Sequence, residues 1–239
     1  MRILFVVAAR GGSKGIPRRN ISVLGKYPLI AYKIIAAQKC RYDKRIIVST
    51  DDEEIAAVAK EYGAEVPFMR PAELAVDTAG SMEVVAHAME WVRENDESSY
   101  DYICLLEPTS PFLSYRDIDR AFEILAEKKA DTLLGMKETE VSRNFIYPLD
   151  ARGGLSLFYH SVRNMDSVRR QDQAAEYTMN GCIYAARWEY FMENHLFHSE
   201  NSVGYVMPPE QSVEIDTKLD YLLAKCIVDN RMVDLALWE

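Results

Sequence analysis

Acidic residues are missing from the first 42 residues of this 239-residue chain, although nine of its 28 lysines and arginines lie there. The whole chain has the opposite balance, with 37 acidic residues and a formal net charge of −9. A nucleic-acid-binding protein usually presents a wide basic face, which this distribution does not predict. One cationic segment in an acidic chain instead favours a small phosphorylated ligand.

Cysteines are few, and long hydrophobic runs are lacking. Cys40, Cys104, Cys182 and Cys226 form no Cys-x-x-Cys pair, and three of the four lie in apolar runs. This pattern is typical of reduced thiols in a core and predicts a cytoplasmic location. No apolar stretch reaches the length of a membrane span and no signal-peptide pattern is present, so we expect a soluble protein with no membrane partner.

Short apolar runs alternate with helical patterns through the first 136 residues. The runs are apolar throughout, which predicts strands that are covered on both faces. We therefore expect an α/β fold with a mostly parallel sheet flanked by helices and a ligand site at the carboxyl ends of the strands. The predicted strands are 3–8, 45–49, 102–106 and 132–136, and the predicted helices are 29–38, 53–62, 81–94 and 117–127.

Residues 138–179 interrupt this regular pattern with two adjacent glycines, many charges and few apolar residues. A polar excursion inside a regular fold is usually a lid or an arm exchanged with a second subunit. Regular patterns then return and complete a single predicted domain over residues 1–239. They are a strand at 182–186, a helix near 188–193, a strand at 203–207 and a last helix at 218–229.

A glycine-rich cationic loop, residues 9–20, follows the first predicted strand directly. Glycines allow backbone N–H groups to approach phosphate oxygens, and the lysine and arginines neutralise their charge. The loop contains neither the Walker A motif nor the Gly-x-Gly-x-x-Gly fingerprint, and Pro17 would break a helix that began there. The loop therefore resembles an extended phosphate-binding segment, and a solvated basic turn is the alternative.

Two further clusters follow predicted strands. Residues 70–78 combine an arginine with acidic and hydroxyl side chains, but Asp77 or Thr78 could equally cap the next helix. Residues 106–111 place two hydroxyls on a turn stiffened by two prolines, which suits a polar ligand, although a simple strand-to-helix turn is the alternative.

Two carboxylates, Glu214 and Asp216, alternate with Val213 and Ile215 near the end of the chain. On a strand they would project to the same face and repel each other unless a cation lay between them. Oxygen ligands without His or Cys suggest Mg²⁺. The alternative is an exposed strand followed by a helix that Thr217 and Asp220 cap.

In their order along the chain, these motifs resemble the acylneuraminate cytidylyltransferases, which activate sialic-acid-type sugars as CMP conjugates. The resemblance extends over nearly the whole chain. It implies a Rossmann-like nucleotidyltransferase fold, the substrates CTP and a sugar acid, Mg²⁺, and a homodimer that exchanges the irregular arm at 138–179. The matching segments are 9–17, 47–51, 70–75, 108–111, 170–171, 180–184 and 215–217.

The resemblance also implies roles for individual residues. Catalysis would involve Lys14, Arg10, Arg19 and Asp216, and Arg170 would meet the sugar carboxylate. The nucleotide would contact Arg10, Gly11, Gly12, Ser13, Lys14, Asn20, Arg70 and Ser81; the sugar would contact Glu107, Thr109, Ser110, Arg170, Gln171, Asn180 and Tyr184; the metal ion would be held by Asp216 and Glu214.

The chain departs from the usual family pattern at four places. Arg19 replaces a lysine, Glu107 a glutamine and Glu214 an aspartate, and Thr178 or a neighbour stands where an arginine is common. The changes on the sugar side suggest a nonulosonic acid other than N-acetylneuraminate, such as a legionaminic- or pseudaminic-type sugar. Two alternatives remain, namely transfer to another sugar acid or to a sugar phosphate, and a CTP-binding protein that has lost transfer activity.

Overall fold

A computed structural model of the chain describes residues 1–13, 15–163 and 174–239. The strands of its central sheet are β1 (Arg2–Ala8), β4 (Asp43–Ser49), β5 (Tyr102–Leu106), β6 (Thr132–Glu138), β7 (Tyr177–Arg187) and β8 (Ser202–Val206), and a separate hairpin consists of β2 (Val23–Leu24) and β3 (Tyr27–Pro28). The spatial order of the six strands in the central sheet is β4-β1-β5-β7-β6-β8.

The sheet is mostly parallel, as the continuous apolar runs predict. β1 is parallel to β4 and β5, and β6 is parallel to β8. β7 is the exception, because it runs antiparallel to both of its neighbours, β5 and β6. The residues of β1 from Ile3 to Val7 are completely buried, which accounts for a strand without polar positions.

Helices cover both faces of the sheet. They are α1 (Leu29–Lys39), α2 (Glu53–Glu61), α3 (Ser81–Asn95), α4 (Tyr115–Glu127), α5 (Ser156–Val162), α6 (Trp188–Asn194) and α7 (Lys218–Asp229). One face packs against α1 and α4 and the other against α3 and α6, so each face has its own apolar core. A third cluster packs α7 against the β2–β3 hairpin.

The segment from Glu138 to the start of β7 has little regular structure in its described part. It contains one helical turn at Arg143–Phe145 and the short helix α5. Several of its large apolar side chains are exposed, among them Ile146, Leu149, Leu155 and Leu157. Whether this segment is an arm between subunits stays a prediction.

All four cysteines are free thiols, and three of them are buried. In the part of the chain that the structure describes, no helix is both long enough and apolar enough to cross a membrane.

Candidate functional site

A polar cavity of about 280 Å³ lies at the carboxyl ends of β1 and β5, where a sheet of this kind is expected to bind its ligand. The described lining includes three arginines and four carboxylates. It brings together nine of the residues that the sequence singles out: Arg10, Arg19, Asn20, Arg70, Ser81, Glu107, Thr109, Glu214 and Asp216.

The glycine-rich loop leaves β1 and folds against the N-terminus of α2. The N–H of Gly11 donates to Asp51 Oδ1 at 2.9 Å, and the buried Asn20 amide donates to the Arg10 carbonyl at the same distance. A Cβ on Gly15 would lie 2.1 Å from the Asp216 carbonyl oxygen, so this position requires glycine. The loop is thus held next to Asp216. Lys14 lies outside the described residues.

Two arginines of the cavity are held by other residues of the chain. Arg10 forms an ion pair of 2.7 Å with Asp77, the residue that the sequence offered only as a possible helix cap. Arg70 is buried and donates through Nε to Ser49 Oγ at 3.1 Å. Burial lowers the pKa of Arg70 to about 10, so the side chain stays cationic at neutral pH.

Arg19 forms the contact that links the glycine-rich loop to the acidic segment. Its guanidinium donates to Asp216 Oδ1 at 2.6 Å and to the Ile215 carbonyl at 3.1 Å. The Nε of Arg19 is buried and has no hydrogen-bond partner among the described residues. A cation thus lies on Asp216, where the sequence predicted only a metal ion.

The prediction of a strand at residues 213–216 is wrong, because this segment is irregular in the structure. It is pinned to the β5–α4 loop by the hydrogen bond from the Ile215 N–H to the Thr109 carbonyl at 2.7 Å. The alternation still holds. Ile215 is buried among apolar side chains with Val213 packed beside it, while Glu214 and Asp216 face the cavity. Thr217 also caps α7 with Asp220, as the alternative interpretation predicted.

Glu107 and Glu214 are partly buried carboxylates in the same cavity. Glu107 accepts a hydrogen bond of 3.2 Å from Ser81 Oγ. Burial is the main cause that raises the pKa of both acids; Glu214 raises the pKa of Glu107 further, and Asp216 raises that of Glu214. A cationic or hydrogen-bond-donating ligand would relieve this repulsion.

Ser110 and Asn180 have no exposed surface and hold the β7 backbone from within. Ser110 Oγ donates to the Asn180 carbonyl at 3.1 Å, and the Asn180 amide donates to Ser212 Oγ at 3.0 Å. Between them and Glu214 lies Gly181, at φ +66°, where a Cβ would be 2.3 Å from Glu214 Oε1. These residues are not part of the cavity lining but support Glu214, which is, and their contact with a sugar stays a prediction.

The remaining predicted site residues lie beside the cavity or are not described. Gly11, Gly12 and Ser13 belong to the glycine-rich loop but are not part of the cavity lining. Tyr184 is half buried on β7, and burial raises the pKa of its hydroxyl. Arg170 and Gln171 lie outside the described residues.

The sequence analysis assigned no role to Asp51 or Lys33. Asp51 lies two residues after the end of β4, so its place near the carboxyl end of a strand could have identified it. Lys33 interrupts the apolar sequence of α1 and is fully buried, and its ammonium donates to the Cys182 carbonyl at 2.8 Å. A single lysine among the apolar residues of a predicted helix was the signal that could have identified Lys33.

Comparison with known proteins gives a consistent result. The family model described as cytidylyltransferase matches residues 4–203. The chain is 33% identical to a CMP-N,N'-diacetyllegionaminic acid synthase of Legionella pneumophila, over 96% of this chain and 97% of the relative. It is also 33% identical to a pseudaminic acid cytidylyltransferase of Campylobacter jejuni, over 95% of this chain and 96% of the relative.

A third relative is the N-acylneuraminate cytidylyltransferase of Escherichia coli, at 33% identity over 93% of this chain, but the chain spans only about half (51%) of that protein. Among solved structures, a CMP:2-keto-3-deoxy-manno-octonic acid synthetase complexed with CTP matches with a TM-score of 0.70. The match covers 97% of this chain and 100% of the other at 14% identity, so it confirms the fold alone.

Proposed function

Because this chain belongs to the cytidylyltransferase family, we propose that it transfers a cytidylyl group from CTP to a nonulosonic 2-keto sugar acid and releases pyrophosphate in the cytoplasm. The observation that carries the proposal is the cavity at the ends of β1 and β5, which combines three arginines with a glycine-rich loop. The names of the full-length relatives, which are synthases of legionaminic- and pseudaminic-type conjugates, support this substrate class.

In the proposed reaction, the anomeric hydroxyl oxygen of the sugar acid attacks the α-phosphorus of CTP. The new O–P bond forms as the bond to the β-phosphate oxygen breaks, pyrophosphate leaves, and the hydroxyl proton is lost to solvent. Such transfers depend on positioning and on neutralising charge rather than on covalent catalysis. Arg10, Arg19 and Lys14 are proposed to supply that positive charge to the phosphates.

The charges of the cavity support a requirement for Mg²⁺. The described lining has one more carboxylate than it has arginines, so a triphosphate would enter an environment that these residues leave slightly negative. Glu214 and Asp216 fit the preference of Mg²⁺ for oxygen ligands, although Arg19 occupies one oxygen of Asp216. The bound ion would add positive charge at the phosphates.

Sugar selection is proposed to depend on Glu107 and Arg170. Glu107 is an acceptor on the cavity wall, so it favours sugars with a hydroxyl or ammonium donor and disfavours an anionic or bulky acyl group. Arg170 would recognise the sugar carboxylate through its two-pronged guanidinium. A sugar phosphate would need more than one cation there.

A pyrophosphate-release screen tests the proposal. CTP, ATP, GTP and UTP are each combined with a panel of keto sugar acids and sugar phosphates, with and without EDTA. We expect release only with CTP, a keto acid and a divalent cation. Binding of CTP without release for any acceptor would support the inactive CTP-binding alternative, and full activity in EDTA would contradict the metal site.

We also expect N-acetylneuraminate to be a poor substrate and Glu107→Gln to improve it relative to legionaminic-type acids. The amide of glutamine can donate as well as accept, which suits an acyl group better than a carboxylate does. The measurement is the ratio of kcat/KM for the two sugars in both enzymes. A wild-type preference of about tenfold for N-acetylneuraminate would refute this substrate assignment without refuting cytidylyl transfer.

A further inference from the structure

Lys33 is a fully buried lysine to which the proposed reaction gives no role, and burial lowers the pKa of its ammonium. It lies in the middle of α1, its side chain is fully buried, and its ammonium donates to the carbonyl of Cys182 in β7 at 2.8 Å. Within residues 1–13, 15–163 and 174–239 it forms no ion pair with a carboxylate. A buried ammonium is unfavourable unless a nearby anion offsets its charge.

The strand pairing shows which acid lies at the same end of the sheet as the anchor of Lys33. β5 and β7 are antiparallel, and Leu105 is paired with Tyr184. Glu107 follows Leu105 by two residues and Cys182 precedes Tyr184 by two, so both residues lie just beyond this pair, at the same end of the two neighbouring strands. The Lys33 ammonium is therefore anchored to β7 at the end of the β5–β7 pair where Glu107 lies.

Glu107 lacks a counter-charge of its own in the described part of the chain. Its carboxylate accepts one hydrogen bond, from Ser81 Oγ, and forms no ion pair there. Its charged neighbours are Glu214 and Asp216, which repel it, and Lys33, which attracts it. Lys33, through its hydrogen bond to Cys182, and the partly buried Glu107 are thus a basic and an acidic group at the same end of β5 and β7.

The other acid near Lys33 is already engaged. Asp117 accepts from the N–H of Ser114, the N-cap of α4, at 2.8 Å, and its second oxygen accepts from the Tyr205 hydroxyl at 2.8 Å. The two thiols near Lys33, Cys104 and Cys182, both have raised pKa values and stay neutral at neutral pH. Glu107, which accepts a single side-chain hydrogen bond, is therefore the acid near Lys33 that most needs a counter-charge.

We propose that Lys33 is a positioning residue of the sugar site, which anchors β7 at Cys182 and supplies the counter-charge of Glu107. Without this cation, Glu107 would keep the hydrogen bond from Ser81 but would be repelled by Glu214 with no attraction from α1. With it, the cavity wall carries a stable anionic acceptor, which selects sugar acids with a hydroxyl or ammonium donor at that point. The inference depends on the proposed function, because it assigns Glu107 to the sugar.

A double-mutant cycle tests this coupling. The variants are Lys33→Met, which keeps an unbranched side chain without charge, Glu107→Gln, and the two combined. We expect Lys33→Met to lower kcat/KM for the preferred sugar acid by about tenfold or more, while KM for CTP changes by less than about twofold. When position 107 is already glutamine, the same substitution should cost less than about threefold, because no carboxylate needs a counter-charge.

The thermal unfolding midpoint gives a second readout that does not depend on activity. Lys33→Met should lower it clearly in the wild-type background and less, or not at all, in the Glu107→Gln background. Lys44→Met is the matched control, since Lys44 also donates to backbone carbonyls, at the end of α1 away from the cavity. It should show no coupling with position 107.

Equal effects of Lys33→Met in both backgrounds would overturn the proposal and leave Lys33 as a structural anchor only. Coupling in the unfolding midpoint without coupling in kcat/KM would also overturn its role in the sugar site. Failure of the wild type to release pyrophosphate with any sugar acid is a different result, which refutes the proposed function itself. The double variant remains informative if Lys33→Met alone folds poorly.

Discussion

Two consecutive arginines, Arg18 and Arg19, have different environments and offer a matched comparison of single residues. Arg19 faces the cavity and pairs with Asp216, whereas Arg18 is more exposed and pairs with Asp52 and Glu54 of the α2 N-terminus. Charge at the phosphates matters most when it is held in a partly buried, preorganised position. We therefore expect Arg19, and not Arg18, to contribute to catalysis.

We predict that Arg19→Gln lowers kcat by about a hundredfold, because it removes a cation from the position where negative charge develops. Arg19→Lys should retain most of the activity, since the charge is kept. Arg18→Gln should stay within about twofold of wild type, because exposed ion pairs contribute little. Steady-state pyrophosphate release by all three variants tests these expectations, and circular dichroism checks that each variant is folded. Equal losses for Arg18→Gln and Arg19→Gln would contradict the assignment.

At the scale of the elements, an irregularity of β7 at Gly181 lies against Glu214 in the wall of the cavity. The backbone there adopts φ +66°, next to a register shift where β6 pairs with β7. Ser110 donates to the carbonyl of Asn180 beside this irregularity, and Glu214 lies directly against Gly181. The position of Glu214 thus depends on the absence of a side chain at residue 181.

We predict that Gly181→Ala destabilises the protein by about 2 kcal/mol more than Gly153→Ala does. Both glycines have positive φ, but nothing lies within 4 Å of a Cβ on Gly153, so this control isolates the backbone strain. Gly181→Ala should also raise the Mg²⁺ concentration needed for half-maximal rate, because Glu214 is displaced. Equal unfolding midpoints for the two variants would argue against the steric account.

One acid, Asp96, ties the C-terminus of α3 to β4 and to the loop that leads into β5. Its carboxylate accepts from Arg45 of β4 at 2.9 Å, from the Tyr100 hydroxyl at 2.7 Å and from the Ser98 N–H at 2.9 Å. Its hydrogen bonds to Ser98 and Tyr100, with a smaller contribution from Arg45, hold the pKa of Asp96 well below its usual range. The carboxylate is therefore bound in its charged form in the folded state.

Because the folded state lowers this pKa, the stabilisation is present above about pH 4, the range of an unfolded aspartate, and is lost as the pH falls further. We predict that Asp96→Asn costs about 2 kcal/mol at pH 7 and markedly less at pH 3. Asp229→Asn, which breaks an exposed pair with Lys225, should leave the stability almost unchanged. Urea unfolding at both pH values measures the difference; a cost for Asp96→Asn that is independent of pH would contradict it.

For the whole molecule, we predict a homodimer that pairs through the 138–163 segment, because several apolar side chains of this segment are exposed. We predict that Leu157→Asp converts the protein to monomers, because it places a charge in the interface. Leu219→Asp, at an exposed leucine of α7, should leave the dimer intact. Sedimentation over a range of concentrations measures the outcome. A monomeric wild type would refute the role of this segment as a dimerisation arm. A dimeric Leu157→Asp variant together with a monomeric Leu219→Asp variant would place the interface on α7.

The sequence predicts the architecture well where local patterns decide it. β1, β5 and α3 lie within a residue or two of their predicted bounds. Buried strands require continuous apolar runs and packed helices require apolar residues at helical spacing, and both patterns are visible in the sequence. The antiparallel direction of β7 could not be predicted in this way. Its direction is set by pairing with strands that are distant along the chain, and single strands do not encode their partners.

Contacts in the site were harder to predict than the list of its residues. The pair of Arg19 and Asp216 joins positions 197 residues apart, which spacing cannot reveal. The segment 213–216 shows the alternation of a strand but pairs with a loop, so its pattern indicated the correct faces and the wrong element. Asn180 and Ser110 were recognised as members of the site, but their burial could not be inferred from polar residue type.

The two arginine–carboxylate pairs of the cavity, Arg10 with Asp77 and Arg19 with Asp216, have a consequence for how ionic strength acts on the site. An unpaired basic pocket gathers mobile anions from solution and releases them when its ligand binds, which makes affinity fall steeply as salt rises. In this cavity the counter-ions are the side chains of Asp77 and Asp216. When a nucleotide binds, each arginine exchanges its carboxylate partner for a phosphate, and few mobile ions are released. Occupancy of the cavity by a nucleotide should consequently vary little as the salt content of its surroundings changes.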